Sequence, residues 1–323
     1  MKNKDPLEDK KILTLGNQFK INEKWMIIGY KFGIYGYLPS LINCGYNNIF
    51  INQQGKDYIS NLPKLKHLTK HIETIKDYES KENIIKNIIL AIPPCEQNIV
   101  IKSKLNLNQV KNLILEKPLA ASPKEASILL DYLNYKKINY KINYSFLYTN
   151  WFPKTKEKVL GLGLDTCVTI LWRFKAHHFV NNLNNWKRFH SLGGGALRFY
   201  GVHLIALLSD LGYEEVEKSI AYKMADDELY KWTCFIPQYK NLPNIKITVD
   251  SNSNENNFNI SYIKYDIKKD ILTTSNPFAL ENIINGYDNR VSPISKFIKD
   301  KRKINQKKII KLWKEIEEKL IIN

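Results

Sequence analysis

Three groups of residues in this chain have types and spacings that could do chemistry. The first is a glycine-bearing turn, Gly29, Gly33 and Gly36, directly after the apolar run Trp25 to Ile28. Glycines there leave the backbone N–H groups of a helix start free to meet a pyrophosphate. A G-x-G-x-x-G pattern counted from Gly29 would place glycines at 31 and 34, where this chain has Lys31 and Ile34. On spacing alone, the segment reads equally well as a plain strand-to-helix turn. Lys31 either crowds a pyrophosphate or turns outward and pairs with it. About 20 residues on, where an acid usually holds the ribose hydroxyls, stand Asn52-Gln53-Gln54 with Lys56 nearby. An amide still hydrogen-bonds a ribose, and the missing carboxylate lowers the repulsion of a 2′-phosphate.

The second group centres on Lys117, in Leu115-Glu116-Lys117-Pro118-Leu119-Ala120, and the third on His203, in the run that starts at Gly193-Gly194-Gly195. A lysine before proline is by itself commonly a solvated residue, and a lone histidine on an apolar helix is commonly a core residue. Phe199 and His203 are spaced i, i+4, which puts them on one helix face. His177 and His178 are adjacent, and adjacent residues on a strand point to opposite faces; with no acidic or cysteine partner near them, no metal site is expected.

These residues need elements to hold them. Apolar runs at Trp25–Ile28, Asn48–Ile51, Ile72–Ile75, Ile88–Ile92 and Leu113–Leu115 alternate with amphipathic stretches such as Ile99–Leu105 and Ala126–Leu133. Tyr140–Tyr144 adds a sixth run. Strands alternating with helices predict a parallel sheet, hence a first domain over residues 1–148. Longer alternating runs follow, Cys167–Phe174, Lys218–Met224, Trp232–Ile236, Ile245–Val249 and Phe258–Ile263, with one strong helix, Ala196–Leu211, between them. They predict an α+β domain over residues 149–323, with a large, mostly antiparallel open sheet. The Asn-rich stretch Asn252–Asn257 reads as a hairpin loop, and the basic tail Lys296–Lys311 as the solvated face of a C-terminal helix.

Three features together resemble the glucose-fructose oxidoreductase/inositol dehydrogenase/MocA family: Ala91-Ile92-Pro93-Pro94 after one strand, Glu116-Lys117-Pro118 after the next, and Ser122-Pro123-Lys124-Glu125-Ala126 opening a helix. Recognisable motifs cover about residues 24 to 215. The resemblance implies an α/β chain with an N-terminal NAD(P)-binding Rossmann domain and a substrate domain. Its implied chemistry is hydride transfer to or from a secondary alcohol or ketone of a sugar, cyclitol or nucleotide sugar. It places Lys117 beside nicotinamide and substrate hydroxyl, where a group must take the hydroxyl proton as hydride leaves or donate one to the developing alkoxide. Like charge from an oxidised ring would lower that lysine's proton affinity.

The same resemblance puts Gly29, Lys31, Phe32, Gly33, Ile34, Asn52, Ile92, Pro93, Pro94, Glu116 and Lys117 around NAD or NADP. It brings Lys117, Trp172, Arg173, Trp186, Lys187, Phe199 and His203 toward the substrate, where aromatic and cationic groups suit a sugar bearing phosphate or carboxylate. Related enzymes carry Gly-Gly-Gly, a spacer, Asp and then His; here the Asp position is Phe199, while His203 is kept. Lys117 and His203 are the expected catalytic pair. The exchange at Phe199 keeps open an alternative, a catalytically inactive relative that binds cofactor or sugar or acts as an assembly partner.

Composition bounds the remaining possibilities. An apolar fraction of 44% argues against disorder. The excess of 49 Lys and Arg over 32 acids, a formal charge of +17, would suit nucleic acid. It is spread along a chain rich in Lys, Asn and Ile, however, so neither a nucleic-acid nor a membrane partner is expected. Four cysteines far apart in sequence and no apolar leader point to reduced thiols and a cytoplasmic location. The family's open sheet commonly packs on a partner subunit, which implies a homodimer or homotetramer.

Overall fold

The structure, a computed structural model, describes residues 21–75 and 85–323. Six strands form the first sheet: β1 (Ile21–Ile28), β2 (Tyr46–Asn52), β3 (Ile72–Ile75), β4 (Asn87–Leu90), β5 (Asn112–Leu115) and β6 (Tyr140–Ile142). They run parallel in the order β3-β2-β1-β4-β5-β6. Every residue of β4 is buried, as expected for a parallel strand covered by helices on both faces. The order reverses between β1 and β4, which opens a crevice beyond their carboxyl ends.

Local sequence explains the helix starts beside that crevice. Ser122 caps Pro123–Tyr135 by accepting from the Glu125 N–H at 3.2 Å, with Pro123 at the first helical position. The helix after β1 opens as a π-turn, Gly33–Tyr37, and continues as Leu38–Asn43.

The second sheet holds β7 (Cys167–Lys175), β8 (Lys218–Lys223), β9 (Leu229–Ile236), β10 (Asn244–Asp250), β11 (Asn252–Lys264), β12 (Ile267–Thr274) and β13 (Leu320–Ile322). Their order is β12-β11-β7-β10-β9-β8-β13. The β7–β10 and β8–β13 pairs are parallel and the others antiparallel. Ala196–Leu211 is one helical segment, a π-turn over Ala196–Gly201 running into Val202–Leu211 and stopped at Gly212, whose φ is +106°. It lies in the core with Trp232 and Ile247.

Two sequence expectations fail here. Asn252–Asn257 is not a hairpin loop: it begins β11, which pairs with β7 across a bulge between residues 252 and 257. The strands on either side of it, β10 and β11, both flank β7, so no hairpin joins them. The basic tail is not one helix face. It spans the end of Val291–Lys299 and the start of Gln306–Glu318, and the first of these helices is buried along most of its length.

The helix Val291–Lys299 returns to the first sheet's helical layer. Asn43 Nδ2 donates to Ser295 Oγ at 2.9 Å, and Ser295 Oγ donates to Ser40 O at 3.4 Å. That return carries the preceding segment, including Arg290, over the turn that follows β1.

Gly29 makes the closest approach in this frame. At φ +116°, an added Cβ would lie 2.2 Å from the Ala91 carbonyl oxygen, so any side chain would push β1 from β4 at the crevice. Gly286 also has positive φ, +72°, but no atom lies within 4 Å of its would-be Cβ. In urea denaturation, Gly29→Ala is expected to lose roughly 2–4 kcal/mol through overpacking and strain, and Gly286→Ala about 1 kcal/mol through backbone strain alone. Equal costs would contradict the assignment.

Candidate active site

The crevice is bounded by the turn after β1, the Ile92-Pro93-Pro94 turn after β4 and the Glu116-Lys117 loop after β5. Ile92 Cγ2 would be 3.3 Å from a Cβ on Gly29, so the two turns meet across the switch point. Gly33 performs the close packing of helix on strand: its would-be Cβ lies 2.8 Å from Ile27 Cγ2. The turn therefore closes one residue earlier than the G-x-G-x-x-G count from Gly29 requires. Ile34, at the counted position, is fully buried and its N–H is spent on Lys31 O at 3.0 Å, so it presents nothing to a ligand. Lys31 is exposed, with Nζ 5.6 Å from the Tyr30 ring centroid. Asn52 ends β2 and its side-chain oxygen accepts from the Gly55 N–H at 2.8 Å, which makes it the cap of the helix Gln53–Ser60.

The loop that carries Lys117 is held by main-chain contacts. Gln97, fully buried on the helix Pro94–Ile99, donates to the carbonyls of Glu116 and Pro118 at 3.0 and 3.1 Å. Its oxygen accepts from the Glu116 N–H at 3.1 Å. One amide thus fixes the residues on both sides of the lysine. The Glu116 carboxylate accepts from the Tyr37 hydroxyl and, at 3.0 Å, from Asn143 Nδ2. Burial raises the Glu116 carboxyl above its usual range, against the pull of Lys117 and these hydrogen bonds.

Lys117 is 9% exposed. Its Nζ donates to the Phe199 carbonyl at 2.6 Å and lies 3.8 Å from the centroid of the Phe199 ring. Burial pushes its ammonium down to about 7; Glu116 opposes the shift, and Lys187 and Arg290 add to it. The group is therefore poised to exchange a proton near neutrality. His203, 5% exposed, stacks on Phe146 at 4.4 Å, and its Nδ1 is buried without a hydrogen-bond partner. Burial, reinforced by Lys117 and Arg290, holds its pKa well below the usual imidazole range, so the ring is neutral.

Phe199 is the residue that Lys117 leans on. Besides Lys117 it meets Trp186 edge-on at 5.2 Å, and Lys187 Nζ lies 5.3 Å from its centroid. The π face attracts both ammonium groups without carrying a charge of its own. Lys187 is itself pushed down by burial and then by Arg290 and Lys31. The glycine run seats this helix against the first sheet's loops: a Cβ on Gly193 would lie 3.0 Å from Pro94 Cγ and 3.1 Å from Ala121 Cα. Arg198 ties the same junction, donating to Ala121 O at 2.9 Å and pairing with Glu317 through Nε and Nη2 at 2.8 and 2.5 Å.

Of the residues expected near substrate, Lys117, Lys187, Trp186, Phe199 and His203 converge. Trp172 lies behind them in an aromatic core with Phe146, Phe174 and Tyr200, at 5.3, 4.7 and 5.6 Å. Arg173 does not join them. It alternates to the other side of β7 from buried Trp172 and pairs with Glu255 at 2.7 Å. His177 and His178 open a short helix, His177–Val180, rather than lying on a strand. Sequence reading missed Arg290, whose guanidinium lies 4.7 Å over the Phe32 ring while Nε and Nη2 each donate to Asp288 at 2.7 Å. It also missed Tyr37, Gln97 and Asn143. Asn143 follows the sixth strand directly, the one position among these that the strand pattern could have flagged.

No protein-family model and no curated protein matches this sequence. Solved structures do match it in fold. A 3-ketoreductase from Actinomadura kijaniata, solved with NADP and TDP-benzene, is 12% identical over 93% of this chain and 98% of its own, with a TM-score of 0.66. A dehydrogenase from Thermus thermophilus, solved with NAD and UDP-GlcNAcA, is 10% identical over 93% and 96%, TM-score 0.64. A protein of gentamicin A biosynthesis in complex with NAD is 14% identical over 93% and 93%, TM-score 0.66. The expected fold, a Rossmann domain with an α+β partner, is thus one that this chain shares with these solved structures.

The buried lysine carries a stability signature. Its native pKa, about 7, lies below the unfolded value near 10.4. The unfolded chain therefore binds more protons between these values, and stability rises with pH across that window. Lys117→Met is expected to be more stable than wild type at pH 6 by on the order of 2 kcal/mol. The difference should shrink between pH 7 and 10. Chemical denaturation across that range checks it, and a pH-independent difference would contradict the burial argument.

Proposed function

We propose that this chain is an NAD(P)-dependent oxidoreductase that interconverts a secondary alcohol and a ketone on a sugar, cyclitol or nucleotide-linked sugar. The observation that carries the reading is a buried lysine of lowered proton affinity at the carboxyl edge of a Rossmann sheet, beside the switch point. The residues present fit the cofactor. Gly29 adopts φ +116° beside Ala91, where no side chain could stand, which gives the tight turn that such a site uses, and Lys31 is exposed at that turn to meet phosphate. Asn52 stands where the adenosine ribose is usually held. A bound nicotinamide would supply or accept the hydride.

The chain's own residues do the rest. Lys117 gives its proton to the carbonyl oxygen or takes it from the hydroxyl, and Glu116, fixed by Tyr37 and Asn143, holds a counter-charge beside it. Neutral His203 offers a ring nitrogen to a substrate hydroxyl. Trp186 and Phe199 provide faces for a sugar ring. NAD and NADP both suit the site, since no carboxylate replaces Asn52 and Lys56 lies nearby. The proposed setting is cytoplasmic carbohydrate metabolism, including surface-glycan synthesis. In this reading a homodimer or homotetramer forms through the open face of the second sheet.

The replacement of the motif's acid by Phe199 supports a second reading, a binding protein that has lost turnover. In that case Phe199→Asp creates activity where wild type has none.

Titration with NADH and NADPH, followed by nicotinamide fluorescence, is expected to give micromolar binding. A screen of sugars and nucleotide sugars should then give turnover that Lys117→Met lowers by about 10²–10⁴-fold, with the cofactor Kd changed less than about threefold. Absence of binding by either cofactor would refute the oxidoreductase reading. Binding without turnover would favour the second.

A further inference from the structure

The charges around Lys117 are unbalanced in a way that a neutral sugar does not require. Lys117 and Lys187 lean on one ring, Phe199, at 3.8 and 5.3 Å from its centroid. Arg290, held over Phe32 at 4.7 Å, acts on Lys117, Lys187 and His203. Lys31 acts on Lys187. Among the described residues, the carboxylates that enter this group are Glu116 and Asp288. Glu116 is engaged by Tyr37 and Asn143, and Asp288 is taken up by three hydrogen bonds from Arg290, two of them from its guanidinium. The position that could add a third carboxylate is Phe199, whose quadrupole draws cations but carries no net charge.

We propose that this cluster selects the redox state of the cofactor, admitting the reduced, uncharged nicotinamide ring in preference to the oxidised, positively charged one. The proposal rests on the cofactor reading above. The two forms share the same pyrophosphate, riboses and adenine, so their affinities differ through the ring and its neighbours. Each nearby cation disfavours a positive ring in a poorly solvated pocket, while aromatic faces accept either form. A site that binds the two states unequally shifts its equilibrium toward the favoured one by that differential affinity.

The protein-bound equilibrium is then shifted toward the reduced cofactor with the ketone, and the reduced form is the one the site takes up from solution. In carbonyl reduction the carbonyl carbon gains a hydride from the dihydronicotinamide and the carbonyl oxygen gains the ammonium proton of Lys117. The products are an alcohol, the oxidised cofactor and a neutral amine, so the positive charge passes from lysine to ring and none is added to the pocket. The oxidised ring left by that step, still beside Lys187 and Arg290, is the more weakly held form.

The test needs no substrate. Tryptophan fluorescence quenching of the full chain is measured with NADH and NAD⁺, and with NADPH and NADP⁺, at pH 7 and fixed ionic strength. The reduced form is expected to bind at least tenfold more tightly. Phe199→Asp is expected to cut that ratio at least fivefold, mainly by improving binding of the oxidised form, whereas Phe199→Leu leaves it within twofold. Lys187→Gln, on a different element, is expected to narrow the ratio as well and serves if Phe199→Asp does not fold. Equal or tighter binding of the oxidised form by wild type overturns the proposal. So does a ratio that neither substitution moves. Binding of neither form overturns the cofactor reading and this inference with it, whereas binding of both forms with equal affinity overturns the inference alone.

Discussion

The burial of one ammonium group against the ring and carbonyl of Phe199 sets the terms for the site. Taking a lysine out of water is costly unless hydrogen bonds and opposite charge offset it. Here the Phe199 carbonyl, the π face and the neighbouring Glu116 do so in part, and the remainder appears as a lowered proton affinity. Such a group stays in place only if the backbone on both sides of it is fixed. Gln97 fixes it from the helix after β4, and the Tyr37–Glu116–Asn143 cluster fixes it from the first helix and the sixth strand. Phe199 comes from the other sheet's domain, so the glycine run and the Arg198–Glu317 pair that seat its helix belong to the same requirement.

Much of this was legible in the chain. Short apolar runs between amphipathic stretches gave the parallel sheet, because strands buried on both faces leave little else in the sequence. The Glu116-Lys117-Pro118 segment and the glycine run were recognisable because a strand end and a helix start constrain their residues locally. The glycine turn was harder. Gly33 packs helix on strand one position before the count from Gly29 requires it, and the helix absorbs the difference as a π-turn, which leaves Ile34 in the core. The strand period itself separates Arg173 from Trp172, since neighbours on a strand face opposite ways.

What escaped sequence reading depends on chain segments distant from the motifs. Arg290 reaches the site because Val291–Lys299 packs back on the first domain through Ser295, a contact across some 250 positions that no local pattern encodes. Tyr37 resembles one more apolar helix residue until Glu116 is placed against its hydroxyl. The Asn-rich stretch looked like a loop because asparagine favours turns. Pairing with β7, and the bulge that accommodates it, override that preference. Each miss is a case in which tertiary contact outweighs local tendency.

The account stands or falls on Lys117 being a lysine of low proton affinity at a cofactor-facing edge. The most direct measurement is the rate of its acylation by a small anhydride, read by peptide mass spectrometry from pH 5 to 11, with and without NADH. The account predicts a midpoint near 7, where exposed lysines titrate near 10.4, and protection of Lys117 when NADH is present. A midpoint in the ordinary lysine range, with labelling indifferent to NADH, would contradict it.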